Sequence, residues 1–185
     1  EYKIIDKWKV ETIKFETKDA LYDYITNNMK SLNEVDVIGI SAPGVIDERG
    51  NFKSYAAPNI RNMYGTNIIT ELEERTGKKV AVINDAKAAG LCEFEIGNAK
   101  NTKSSAFLIL GTGTGGGICD KNGIVNGNDS FAGEFHKLPF RNFKTGKLEC
   151  MGDYASITGL IQTYNDMVEE KYKVKYGHEV CNKYL

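Results

Sequence analysis

Apolar positions recur along this chain with two different periods, and the switches between them mark out its elements. Tyr2 to Phe15 is rich in Ile, Val, Trp and Thr with partial alternation, which predicts one bent edge strand or two short ones. Behind Thr17 as N-cap, Leu21, Tyr24, Ile25 and Met29 fall on one helical face, so the period changes to 3.6. Val35 to Ser41 predicts a buried strand, which Pro43-Gly44 ends. Asp47-Glu-Arg-Gly50 predicts a hairpin turn between Val45-Ile46 and Phe52-Lys-Ser-Tyr55. A second helix is expected from Thr66 through Asn67 to Arg75, stopped by Gly77, before a strand from Lys79 to Ile83.

Asp85 to Phe94 is Ala-rich and favours helix, whereas Ser104 to Leu110 is an almost continuous apolar run of the kind buried on both faces. That alternation predicts parallel strands covered by helices. Beyond it come a glycine-dense stretch, a turn near Lys121-Asn-Gly123 and a long helix from about Tyr154 to Lys171. The polar stretch Asn98 to Lys103 is the expected boundary between a lobe of residues 1–100 and the start of a larger one at 101–185.

Composition narrows the class. Of 185 residues 41% are hydrophobic and 26% charged, which fits a globular chain and excludes collagen-like and low-complexity classes. With 24 basic and 25 acidic residues the formal net charge is -1, so no general attraction to nucleic acid or anionic lipid is expected. No apolar stretch reaches the ~18 residues of a membrane span, and no secretory leader is visible. Cys92, Cys119, Cys150 and Cys181 show neither metal-site spacing nor the density of a disulfide scaffold, so a reducing cytoplasm is expected. The chain opens on Glu1 rather than methionine and enters a strand pattern at once, an expectation of residues upstream.

Three constellations can carry chemistry. Gly111-Thr-Gly-Thr-Gly-Gly-Gly117 follows an apolar strand, where glycines let backbone N–H groups approach a phosphate, although a turn serving geometry alone has the same composition. The run satisfies G-x-G-x-x-G, but Ile118 to Val125 continues as strand, turn and strand rather than opening the helix of a dinucleotide fold. Asn84-Asp85 falls where a strand gives way to a helix, at the carboxyl edge of a sheet where ligands collect; a helix cap would look the same. Ala132-Gly-Glu-Phe-His136 sets Glu134 and His136 on one face of an extended segment, either a metal-binding pair or, by default, a surface histidine.

Taken in order, Ser41-Ala-Pro-Gly44 with Asp47, Ala57-Pro-Asn59, Asn84-Asp-Ala-Lys-Ala-Ala89, Gly111-Thr-Gly-Thr-Gly-Gly-Gly-Ile118, Ala132-Gly-Glu134 and Tyr154-Ala-Ser156 resemble the ROK family of sugar kinases and sugar-responsive repressors. The resemblance implies an α/β, actin-like ATPase (ribonuclease H-like) fold of two lobes closing over ATP and a hexose, here incomplete at both ends. It implies Asp85 as general base toward a sugar hydroxyl, with Gly44, Asn59, Asn84, Glu134 and His136 as sugar ligands. Gly111, Thr112, Gly113, Thr114 and Gly115 would face the phosphates of ATP with Mg2+. A cytoplasmic homodimer phosphorylating a hexose or N-acetylhexosamine follows, with neither membrane nor nucleic acid bound through this segment.

The same family also includes sugar-sensing repressors whose DNA-binding domain would lie outside this chain, and an inactive actin-like scaffold is a third reading. Departures from the family pattern bear on the metal and the sugar. No Asp-x-Gly-Gly-Thr loop is present, and the helices around the adenine are mostly missing. Lys137 stands where the family's zinc-ligating histidine would be, and Cys150 alone replaces its cysteine cluster, so no zinc is expected. Gly152 replaces a sugar-contacting glutamate, with Glu149 and Asp153 as candidates to serve instead.

Overall fold

A computed structural model describes residues 3–54, 58–142 and 145–182. The expected positions Tyr2, Tyr55 and Ala57 lie outside the described residues. The chain divides into two compact units, Glu1–Asp85 and Ala86–Leu185.

In the first unit, helix α1 (Lys18–Asn27) starts where the Thr17 hydroxyl accepts the Ala20 amide at 3.2 Å. Strand β1 (Val37–Ala42) follows, then helix α2 (Ile68–Thr76) and strand β2 (Lys79–Asn84). The two strands pair in parallel, in register from Val37 opposite Lys79 to Ala42 opposite Asn84. Leu21 and Tyr22 of α1, Ile68 and Leu72 of α2, and Phe52 and Met63 fill the core beside them. The N-cap of α2 is Asn67, whose side chain accepts from Thr70 N, rather than Thr66. Thr66 is committed elsewhere, donating to the Met63 carbonyl and bonding the Tyr22 hydroxyl. Gly77 ends α2 in the left-handed conformation, φ 65°. The turn after Asp47 forms, with Ile46 bridged to Phe52.

The expected edge strand does not form: residues 3–15 carry no ladder, and Ile5 is 94% exposed. Side chains hold this segment instead. Asn59 Nδ2 donates to the Thr12 carbonyl at 2.8 Å, Asn62 Nδ2 to Phe15 at 2.6 Å and the Tyr24 hydroxyl to Glu11 at 2.7 Å. Alternation makes a strand only where another strand edge accepts it, and here its carbonyls are taken by side chains.

The second unit holds most of helix α3 (Asp85–Glu95) and an antiparallel meander of β3 (Ser104–Leu110), β4 (Thr114–Asp120) and β5 (Gly123–Ile124). Among the described residues the parallel pairing expected from the alternation of strands and helices holds for β1 with β2, whereas β3 joins β4 antiparallel. Strand β3 is half-buried on one face and exposed on the other, where Leu108 is 53% and Leu110 60% exposed. Its inward side meets α3 closely, since a Cβ on Gly90 would lie 2.9 Å from the Phe107 ring.

Two three-residue strands, β6 (Pro139–Arg141) and β7 (Leu148–Cys150), form a hairpin too short for periodicity to reveal. In place of the long helix expected from about Tyr154 to Lys171, a short α4 (Met151–Tyr154) ends where it was to begin, and α5 (Ile157–Asn165) is followed by a 3₁₀ turn at Glu170–Tyr172 and a short α6 (Gly177–Cys181). Ser156 causes the break: its hydroxyl caps α5 by accepting from the Gly159 amide at 3.0 Å. Tyr164, Val174 and Val180 pack together beyond it. Among the described residues no helix is long and apolar enough to cross a membrane.

Candidate functional site

The carboxyl ends of β1 and β2 lie side by side, Ala42 opposite Asn84, so whatever follows each strand emerges at one edge. After β1 the chain turns through Pro43 and Gly44, the latter at φ 95°, a conformation glycine adopts without cost. After β2 comes Asp85, the exposed first residue of α3. Asn84 joins them. Its buried amide donates to the Gly44 carbonyl at 3.0 Å and to Asp85 Oδ1 at 3.1 Å, which orients the carboxylate at the strand ends. Three of the expected residues are thereby gathered. Asn59 is exposed, and its side-chain amide is spent on Thr12.

Asp47 serves the turn beside this edge. Partial burial pushes its carboxyl up, but hydrogen bonds from Asn51, Lys53 and Arg49 outweigh that and hold it at about 2. Its Oδ1 accepts from the Arg49 and Asn51 amides at 3.0 and 2.9 Å.

In the second unit the glycine run falls into two parts with different reasons for being glycine. Gly115, Gly116 and Gly117 lie within β4, where close approach requires glycine at 115 and 116 and leaves little room at 117. A Cβ on Gly115 would stand 2.7 Å from Ala86 Cβ, on Gly116 2.7 Å from the Gly133 carbonyl, and on Gly117 3.3 Å from Lys87 Cα. Thr114, buried at the start of β4, donates its hydroxyl to the Ala155 carbonyl. By contrast Gly111, Thr112 and Gly113 form the tip between β3 and β4. There a Cβ on Gly113 would meet nothing within 4 Å among the described residues, and on Gly111 only the Gly113 carbonyl at 3.8 Å. Neither glycine is at positive φ. The tip is nevertheless fixed: Ile157 N donates to the Gly111 carbonyl at 2.9 Å and the Thr158 hydroxyl to the Thr112 carbonyl at 2.7 Å, at the start of α5.

Glu134 and His136 do come together, Oε2 to Nδ1 at 3.2 Å, with the glutamate side chain 13% and the imidazole 34% exposed. Gly133 before them stands at φ 85°, and a Cβ there would lie 2.7 Å from Gly117 Cα. The side-chain-free middle of β4 is thus what admits the loop carrying Glu134. Lys137 is exposed. Gly152 of α4 packs on His136, with 2.8 Å between its added Cβ and the His136 Cβ, so a glutamate at 152 has no room here. Glu149 is drawn into the hairpin base: Asn142 Nδ2 bonds both Glu149 Oε2 and the Tyr154 hydroxyl, each at 2.9 Å. The bond from Tyr154, with that from Asn142, holds the Glu149 carboxyl below its ordinary value, while the bond to Glu149, with desolvation, pushes the Tyr154 hydroxyl up.

One participant was not singled out from the sequence. Lys87 is only 2% exposed, and its ammonium donates to the Ser130 carbonyl at 2.7 Å. The available signal was a lysine inside the run Ala86-Lys-Ala-Ala-Gly90, on the apolar side of an otherwise small-residue helix. Among the described residues no group of three or more His, Cys, Asp or Glu side chains is placed to hold a metal ion.

Comparison with known proteins gives this arrangement a setting. A family model described as the ROK family matches residues 1–183. A glucokinase of Halalkalibacterium halodurans is 32% identical over 180 residues, 90% of this chain and 54% of the relative. The N-acetylgalactosamine kinase AgaK of a Shewanella species is 29% identical over 177 residues, 88% of this chain and 56% of the relative. The crystal structure of a ROK family glucokinase from Streptomyces griseus in complex with glucose and AMPPNP superposes with a TM-score of 0.65 at 28% identity, over 81% of this chain and 50% of that one. The chain spans about half the length of the curated relatives it matches.

Proposed function

This chain belongs to the ROK family, and from that premise we propose that the protein is an ATP-dependent sugar kinase, transferring the γ-phosphoryl group to a hydroxyl of a hexose or N-acetylhexosamine. The observation that carries this reading is Asn84 bridging the Gly44 carbonyl and the Asp85 carboxylate at the carboxyl ends of two parallel strands. Such an edge is where α/β sheets bind ligands, and the bridge holds a carboxylate there in one orientation.

In the proposed reaction the Asp85 carboxylate accepts the proton of the sugar hydroxyl as that oxygen forms its bond to the γ-phosphorus. The bond from the γ-phosphorus to the β,γ-bridging oxygen breaks in line, and ADP leaves with those electrons. Asn84 and Glu134 hydrogen-bond sugar hydroxyls, with His136 beside Glu134. Buried polar groups of this kind reject sugars that lack the matching hydroxyl. Gly44 lets the backbone come close. Gly111 and Gly113 support a phosphate role for the hairpin tip, because neither positive φ nor packing among the described residues requires glycine at either position. Thr114 and Gly115 act through packing, holding the start of β4 to the end of α4 and β4 to α3.

Mg2+ is usually bound by one or two carboxylates together with substrate phosphates rather than by a protein cage. With Asp85 kept for the proton, the ion's ligands would come chiefly from ATP and water. When bound, the ion neutralises charge on the phosphoryl oxygens.

The test is ADP release by the protein, in the longest form its gene encodes, across a panel of hexoses and N-acetylhexosamines. Release stimulated by one or a few of these sugars is expected. A protein that binds a sugar tightly and releases no ADP with any of them would overturn the kinase reading in favour of a sensor.

A further inference from the structure

Lys87 is buried where a charged group is costly unless oxygens surround it. Its Nζ reaches the Ser130 carbonyl at 2.7 Å and Asn126 Oδ1 at 3.4 Å, both in the loop between β5 and Glu134. That loop is conformationally unusual. Asp129 at φ 51° and Ser130 at φ 62° are left-handed without being glycine, and Gly127 and Gly133 are left-handed as well. Left-handed residues with a side chain are disfavoured and persist only where the surroundings hold them. The loop closes on itself through the Ala132 amide, which donates to the Asn126 carbonyl at 2.9 Å. Lys87 bonds inside that closure, to its first residue and to one of its left-handed ones.

Resting on the sugar-kinase reading, we infer that Lys87 is a positioning residue of the sugar site: its buried ammonium fixes the loop 126–133 and thereby sets where Glu134 stands. The backbone of the same lysine lies against β4, where a Cβ on Gly117 would be 3.3 Å from Lys87 Cα, and Gly133 lies against that same glycine. Helix α3, the middle of β4 and the Glu134 loop therefore share one joint, and the lysine side chain is its polar fastening. Removing the charge while keeping the volume leaves the Ser130 carbonyl buried without that donor and frees the loop from its costly conformation.

The experiment compares the protein with Lys87→Met in steady-state kinetics and in amide hydrogen exchange. Displacing a substrate-contacting group by about an ångström from a distance costs large factors. K87M is therefore expected to raise the sugar KM about tenfold or more, with the KM for ATP unchanged, and to speed exchange at residues 129–134. A folded K87M with unchanged sugar KM and unchanged exchange in that loop would overturn the inference. An equal rise in both KM values would also overturn it, because it would mark general disruption of the unit. Should K87M fail to fold, Asn126→Ala, which removes the 3.4 Å bond to Lys87 and leaves the bond to Ser130, carries the same test with a smaller rise of the same selectivity. If the unaltered protein phosphorylates no sugar, the kinase reading has failed, and the exchange rates alone decide whether the lysine fixes the loop.

Discussion

Glycines that serve packing and glycines that serve a ligand should respond oppositely to one added methyl group. Consider Gly133→Ala beside Gly113→Ala. At 133 the backbone is at φ 85° and the new Cβ would fall 2.7 Å from Gly117 Cα and 3.1 Å from Gly117 N, atoms of a strand that cannot rotate away. The left-handed conformation costs roughly 1–2 kcal/mol for a residue with a side chain. Overpacking against fixed atoms costs typically ~1–3 kcal/mol more. Together they should destabilise the protein by about 3 kcal/mol, a fall in Tm of roughly 10 °C for a chain of this size. At 113 the φ is not positive and a Cβ meets nothing within 4 Å among the described residues. Gly113→Ala should therefore leave stability within ~0.5 kcal/mol. The same methyl group would stand where backbone must approach a phosphate, and the KM for ATP should rise about tenfold, the worth of one lost charge-assisted contact. Thermal melts and ATP titrations at saturating sugar read both effects. A Gly113→Ala protein with the parent's KM for ATP would refute the phosphate role of the tip, and a Gly133→Ala protein as stable as the parent would refute the packing argument.

Two further outcomes are expected. Asp47 has a folded pKa of about 2, below its unfolded value of ~3.9. Its contribution is therefore complete above the unfolded value and is lost as pH falls from about 5 through 2. Asp47→Asn should lower stability by about 1–2 kcal/mol at pH 7 and flatten the loss of stability between pH 5 and 2, as followed by urea unfolding; an unchanged acid profile would mean the turn does not depend on the charge. After chelator treatment the protein should carry well under one equivalent of zinc, because Lys137 and the single Cys150 occupy the positions where the family's ligands would fall; one zinc per chain by metal analysis would contradict this.

What the sequence made legible was what local chemistry decides. Thr17, Gly77 and the Ala-rich start of α3 placed helix ends within a residue or two, because caps act within one turn. The Asn84-Asp85 junction was readable for the same reason: strand and helix periods meet there. Residues 3–15 were misread because alternation reports a capacity for pairing and not the presence of a partner. Strand β3 was misread because an apolar run does not say whether one face or two are covered. Hairpin β6–β7, three residues a side, carries too few positions to show a period. The glycine run was visible, but its division was not, since only coordinates tell a glycine that must pack from one that meets open space. Lys87 escaped because composition treats a lysine in a helix as a solvated charge, whereas its burial and its bonds to Ser130 and Asn126 come from residues some forty positions away.

The central claim, that Asp85 is the general base toward a sugar hydroxyl, is tested most directly by Asp85→Asn. Sugar affinity and turnover would be measured on the same preparation, by calorimetry and by coupled ADP release with the best sugar of the panel. The amide keeps the shape of the carboxylate and can still bond Asn84, so sugar affinity should stay within a few-fold of the parent. It cannot accept the proton, so kcat should fall by about a hundredfold or more, the low end of what a positioned base contributes. A mutant that binds sugar as the parent does and turns over within a factor of a few of it would contradict the account, leaving Asp85 as the opening residue of a helix and nothing more.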